Sequence, residues 1–159
     1  MSISIEKISY QNQKDLRILE SVLSTWFKNP KELNWTDPRM KYPFKFKNWV
    51  ALTYSNDDID SYVIKSDDWI VGMGNMMISE DIKRAHALHI FIDPKFRHKG
   101  LATQVLEFLE KKACELDMKT MTIRVMPKNE LAKRLYEKKG FEVNGTSKWG
   151  SLMMEKKLI

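Results

Sequence analysis

Asp93-Pro94-Lys95-Phe96-Arg97-His98-Lys99-Gly100-Leu101-Ala102 joins a buried strand to a long helix through a basic, glycine-bearing turn. On its N-terminal side, Leu88 to Ile92 is almost unbroken apolar sequence, the pattern of a strand covered on both faces, and Asp93-Pro94 stops it. On its C-terminal side, Leu101, Val105, Phe108, Leu109, Cys114 and Leu116 recur with a helical period to about Asp117, which predicts the longest helix of the chain. A helix start exposes unpaired N–H groups and the positive end of the peptide dipoles, so this junction can hold a phosphate or pyrophosphate. Gly100 would let the backbone approach a ligand closely, Arg97 and Lys99 would add charge, and Ala102 would leave room over the first turn. Spacing alone also fits an ordinary loop with a solvated charge run. Competing phosphate motifs fail: Gly140 and Gly145 have P-loop spacing, but Thr146 stands where a lysine is required, and no G-x-G-x-x-G occurs.

Outward from this junction the chain alternates strands and helices. Ile3 to Ile8 alternates as a half-buried strand, and Asn12 offers an N-cap to a helix carrying Leu16, Leu19, Leu23 and Phe27. Three X-Pro pairs between Asn29 and Lys45 predict an aromatic-rich loop. Phe46, Trp49, Val50 and Thr53 fit a second short helix. Ser61 to Lys65 and Trp69 to Ile78 read as a hairpin around Ser66, Asp67 and Asp68. Thr120 to Val125 is β-branched strand sequence ended by Pro127. Asn129 then caps a helix striped with Leu131, Ala132, Leu135 and Tyr136, and Gly140 supplies its positive-φ stop. Phe141 to Val143 and Leu152 to Leu158 close the chain as a strand pair. The expected class is α/β (α+β), a mixed central sheet of about six to seven strands with about four helices.

The chain has 159 residues, the size of one domain, and residues 1–159 are read as a single unit. A hydrophobic fraction of 43% with seven Phe, five Trp and five Tyr excludes intrinsic disorder. The net charge of +6 favours a polyanionic partner. Cys114 is the single cysteine, so no intrachain disulfide forms, and no Cys/His spacing resembles a metal site. With no apolar run near the ~20 residues that span a bilayer, and no signal-like N-terminus, the expected location is the cytoplasm and no membrane partner is expected.

Two blocks carry a resemblance. Leu88 to Ala102, centred on Arg97-x-x-Gly100-x-Ala102, resembles the acyl-CoA binding motif of the GNAT superfamily of N-acetyltransferases. Asn129 to Phe141 resembles that family's N-x-x-A-x-x-x-Y-x-x-x-G-F block, in the right order and separation. The resemblance implies acetyl-CoA as cofactor and an amine as acceptor. It implies that Arg97, His98, Lys99, Gly100, Leu101 and Ala102, with Thr103 beside them, meet the coenzyme A pyrophosphate through backbone amides. It also implies that the backbone of Ile90, Phe91 and Ile92 holds the pantetheine arm and polarises the thioester, with Asn129 and Ala132 near that arm, and that Tyr136 protonates the departing thiolate. Homodimers are common in the family. The first 60 residues carry little similarity, and in the family that part decides the acceptor.

The general base is the open assignment. Many family members carry a glutamate on the central strand, but no carboxylate lies between Arg84 and Ile92. His86 and His89 are what this strand offers, with an ordinary imidazole pKa of ~6.5 suited to proton removal. They have opposite parity, so only one faces the cleft unless the strand bulges. His86 stands six residues before Ile92, the offset of a family base; Glu80, Asp81 or a water chain are alternatives. Trp26, Trp35, Trp49 and Trp69 read as core or acceptor-pocket walls, Trp35 foremost because of its loop. Two rival functions are a coenzyme A-binding sensor without catalysis and a nucleic-acid-binding module, the latter opposed by the dispersal of the positive residues.

Overall fold

The computed structural model describes residues 2–158. In chain order these form β1 (Ile3–Ile8), α1 (Gln13–Trp26), α2 (Pro30–Thr36), α3 (Phe46–Thr53), β2 (Ile59–Ser66), β3 (Trp69–Ser79), β4 (Arg84–Ile92), α4 (Leu101–Glu115), β5 (Thr120–Val125), α5 (Glu130–Lys138), β6 (Glu142–Thr146) and β7 (Leu152–Lys157). A single 3-10 turn, Pro94–Phe96, links β4 to α4. The seven strands make one sheet in the order β1-β2-β3-β4-β5-β7-β6, so the strand ahead of the basic junction is central. Among the described residues only β4 and β5 pair in parallel.

The local signals explain the elements. Asn12 Oδ1 accepts from Asp15 N at 3.0 Å and starts α1. Asp67 at φ 54° turns the β2–β3 hairpin, and Gly140 at φ 98° follows α5. One expectation is corrected: the stretch read as a continuous loop contains α2. Asn29 Oδ1 accepts from Lys31 N and Glu32 N, and Pro30 occupies the first turn, where its missing N–H costs nothing. The proline read as a breaker is a starter.

Apolar side chains collect on both faces of the sheet. On one face Val105, Leu106 and Leu109 of α4 pack with Ala85, Ala87 and Ile92 of β4. Gly74 of β3 makes this contact close, since a Cβ there would lie 2.5 Å from Val105 Cγ1. On the other face Leu23, Trp26 and Phe27 of the α1 region and Trp49 of α3 pack with Phe91.

Two irregularities of β4 shape what lies between the layers. Met73 pairs with Phe91 and Asn75 with Leu88, so β4 carries one residue more than β3 over this interval. His89, at φ 47°, sits in the bulge. Ala85 and Ala87 belong to the α4 side before it, and Ile92 belongs to that side after it, so the bulge reverses the parity of the strand. His86 and His89 therefore share a face despite their odd separation. The second irregularity is a splay: β4 and β5 pair only from Arg84↔Thr120 to His86↔Thr122 and then part.

Candidate active site

Two cavities open in the wedge between β4 and β5. The larger, about 390 Å³, runs along Ile90, Phe91 and Ile92 to the α4 junction and the first turns of α5. The smaller, about 110 Å³, is lined by His86, His89, Asp37, Arg39 and Arg124 among others. They share Trp35, Thr36, Ile90, Asn129 and Tyr136.

The larger cavity ends at a crown of N–H groups. His98 (φ 64°) and Gly100 (φ 78°) both take left-handed backbone, and Gly100 is the N-cap of α4. Among the described residues the N–H groups of His98 to Thr103 have no backbone or side-chain acceptor, whereas that of Gln104 reaches Gly100 O at 3.1 Å. A Cβ on Gly100 would meet nothing within 4 Å, so glycine is required there by its φ, and the space above it is free. Alternating left-handed residues at a helix start make a concavity suited to an anion.

Arg97 departs from expectation. Its guanidinium turns back into the protein, where Nε donates to Ile92 O at 2.9 Å and the two Nη groups bind Glu32 of α2. It also lies 5.2 Å from the Phe91 ring centroid. Its side chain therefore fastens α2 to the β4 end and is not a free phosphate-binding charge, and the Ile92 carbonyl is already occupied. Lys99 is exposed, with Nζ 5.3 Å from the Phe96 ring.

The smaller cavity holds the two histidines in different states. His86 Nδ1 is 2.8 Å from Thr122 Oγ1, and Nε2 has no intramolecular partner among the described residues. Burial first, and then the electrostatic effects of Arg124, of the His89 ring in its protonated form, and of Arg84 and Arg39, push its imidazole down to about 4, so it is neutral near pH 7. His89 is buried with both nitrogens engaged: Nδ1 lies 2.6 Å from Tyr54 Oη and Nε2 2.8 Å from Asp37 Oδ2. Its ring stacks on Trp49 with centroids 4.1 Å apart. Burial would raise the Asp37 carboxyl, but the hydrogen bonds from His89 and Arg39 outweigh it and hold the group well below the usual carboxylate range. Burial pushes the His89 imidazole down against the pull of Asp37. The satisfied arrangement has Nε2–H donating to the Asp37 carboxylate and Tyr54 O–H donating to Nδ1.

Tyr136 and Asn129 stand where the cavities meet. Burial pushes the Tyr136 phenol up to about 12, and its hydroxyl has no intramolecular partner among the described residues. Asn129 Oδ1 accepts from Ala132 N at 3.4 Å and so caps α5 while lining both cavities.

A sequence model of the acetyltransferase (GNAT) family matches residues 21–141. The chain belongs to that family. Its fold is shared by solved structures of low identity. PaiA N-acetyltransferase from Thermoplasma acidophilum, in complex with coenzyme A, has a TM-score of 0.73 at 24% identity over 99% of each chain. Spermidine N-acetyltransferase from Vibrio cholerae, in complex with CoA and spermine, has 0.75 at 15% identity over 98% of this chain and 95% of its own. The ribosomal-protein-S18-alanine N-acetyltransferase of Escherichia coli has 0.71 at 16% identity over 99% and 94%.

As a GNAT acetyltransferase the protein draws its acetyl group from acetyl-CoA. The residues fit that donor: the unpartnered N–H crown suits a diphosphate, and the apolar walls given by Ile90, Leu101, Ala102 and Ala132 suit an organic arm. Ile90, Phe91, Ile92, Arg97, His98, Gly100, Leu101, Ala102, Thr103, Asn129 and Ala132 all line the larger cavity, and Lys99 lies between two of them. His86, His89 and Tyr136 line the smaller. Sequence reasoning missed Asp37, Arg39 and Tyr54, whose meeting with His89 joins three separate segments. It also missed Arg124, Ser147, Trp149 and Ser151 on the far wall. Alternation along Thr120 to Val125 was the one available signal for Arg124. Of the tryptophans, Trp35 lines both cavities, Trp26 and Trp49 are core, and Trp69 is exposed.

Proposed function

We propose that this GNAT acetyltransferase joins acetyl-CoA and a primary amine in one ternary complex, with His86 as the base and Tyr136 as the acid. The observation that carries the reading is the shared wall: the cavity ending in the N–H crown and the cavity holding His86 meet at Tyr136, Asn129 and Ile90. Bound acetyl-CoA supplies an activated thioester. The N–H groups of His98 to Thr103 hold its phosphates, and the backbone freed by the β4–β5 splay orients the arm.

His86 Nε2 takes the proton that the neutral amine sheds as it attacks the thioester, directly or through a water. A neutral imidazole with an open nitrogen supports that role, whereas the double engagement of His89 supports a positioning role. The Tyr136 hydroxyl, held protonated by its burial, gives its proton to the departing sulfur. Neither cavity is lined by Cys114, which supports direct attack by the amine over an acetylated cysteine.

The test is acetyl-CoA consumption over a panel of amines, antibiotics, polyamines and peptide N-termini, with Tyr136→Phe measured beside the wild type. Loss of the acid should lower kcat about a hundredfold or more while calorimetric coenzyme A affinity is retained. Retained turnover in Tyr136→Phe would remove the acid assignment, and binding without any acetyl transfer would favour the coenzyme A sensor.

A further inference from the structure

The cavity that receives the acceptor is short of negative charge. Asp37, its only lining carboxylate among the described residues, is 3% exposed, and both of its oxygens are taken by Arg39 and His89. Arg39 spends Nε and Nη2 on Asp37 and Thr53, which leaves Nη1 without an intramolecular partner among the described residues. Arg124 has no ion pair or side-chain hydrogen bond among the described residues, although it lines the same cavity. Strand alternation explains its direction: Met121, Ile123 and Val125 are buried on one face of β5, and Thr122 and Arg124 share the other. Thr122 on that face already reaches His86. Glu155 stands opposite Thr122 on β7 and forms no ion pair with Arg124.

We propose that the acetyl acceptor is a primary amine that also bears a carboxylate, and that Arg124, assisted by Arg39, holds this carboxylate while the amine faces His86. The proposal rests on the acetyl-transfer reading and deepens it. A guanidinium presents paired N–H groups that match a carboxylate, and Arg124, exposed to solvent and without a protein partner among the described residues, lines the cavity with them free to do so. The same anion would complete the base. The groups that act on His86 from the surrounding elements are the charged Arg124, Arg84 and Arg39 and, when protonated, the His89 ring, all of which disfavour its protonation. A substrate carboxylate among them offsets that effect and lets the imidazole accept the amine's proton more readily. A polyamine would bring further cations to a lining that has no free carboxylate. The volume of about 110 Å³ has room for about four waters at the ~30 Å³ each occupies in the liquid. That suits a small amino acid or a chain N-terminus beside an acidic side chain.

The experiment compares kcat/KM for free amino acids, and for peptides with an acidic residue beside the N-terminus, each against its own carboxamide, with spermidine as the polycation. The acid should exceed its amide by about tenfold or more, and the series that shows this ratio identifies the source of the carboxylate. Arg124→Gln should bring the ratio toward one, whereas Arg84→Gln, outside the cavity lining, should keep it. A second readout follows the His86 imidazole by NMR, assigned with His86→Gln: propionate should raise its pKa in the wild type and not in Arg124→Gln. Amides turned over as fast as acids, spermidine preferred to both, or a His86 titration unmoved by propionate each overturn the proposal while leaving acetyl transfer intact. Propionate acting through Arg124 with no amine acetylated would support the anion site and count against the transfer reading instead.

Discussion

At the residue scale, the difference between His86 and His89 is one of free valence. Both lie on β4 and face the same cavity, yet His89 has given both nitrogens to Tyr54 and Asp37, and His86 has kept one. With an imidazole at about 4 and a phenol at about 12, neither His86 nor Tyr136 changes charge between about pH 6 and about pH 10. The acid limb of the kcat/KM profile should therefore belong to the acceptor. Two acceptors whose amine pKa values differ by about two units should show limbs displaced by the same amount. A limb fixed near one pH for both would mean that a protein group sets it. Tyr136 was legible from its block, whereas its unpartnered hydroxyl depends on a cavity that no local spacing records.

At the element scale, the α4 start and the β4 bulge do different work. Gly100 contributes a φ of 78° and a bare approach, which a β-branched residue denies. Gly100→Val should weaken calorimetric acetyl-CoA binding by about tenfold or more and also lower the melting temperature measurably, since a φ of 78° strains a β-branched residue even where its Cβ meets nothing within 4 Å. Unchanged affinity would remove the phosphate assignment. The glycine, the helix stripe and the buried strand are local patterns, so this junction was readable in the sequence. The bulge was not, because an extra residue in β4 exists only relative to the partner strand β3. Helix α2 was hidden for another reason: a proline after a potential cap marks either a break or a start, and the Asn29 hydrogen bonds decide for the start.

At the scale of the whole molecule, the buried network ties the N-terminal helices to the sheet. Asp37 follows α2, Tyr54 ends α3 and His89 lies in β4, so one hydrogen-bonded cluster joins three elements. Arg97 with Glu32 adds a second tie from α2 to the start of α4. These groups also fix the direction of the pH dependence of stability. The folded His86 imidazole lies near 4, below its ordinary 6.5, so in that interval the unfolded chain binds more protons and stability rises with pH. His89 acts in the same direction. Asp37, held below its ordinary 3.8, contributes stability above that value and loses it only as the pH falls further. Melting temperature should thus fall from about pH 7 to about pH 4.5, and His86→Gln should flatten that fall; an identical slope in the variant would count against a neutral buried imidazole. By itself the sequence determined the order of most elements, the central strand, the glycine-bearing helix start and the family, because each depends on residues adjacent in the chain or on one element's period. Tertiary structure alone decided which histidine stays open, that Arg97 faces inward, and that Arg124 stands beside the smaller cavity without a partner among the described residues. Those outcomes depend on which distant side chains satisfy one another's hydrogen bonds and charges, and separation along the chain carries no record of that.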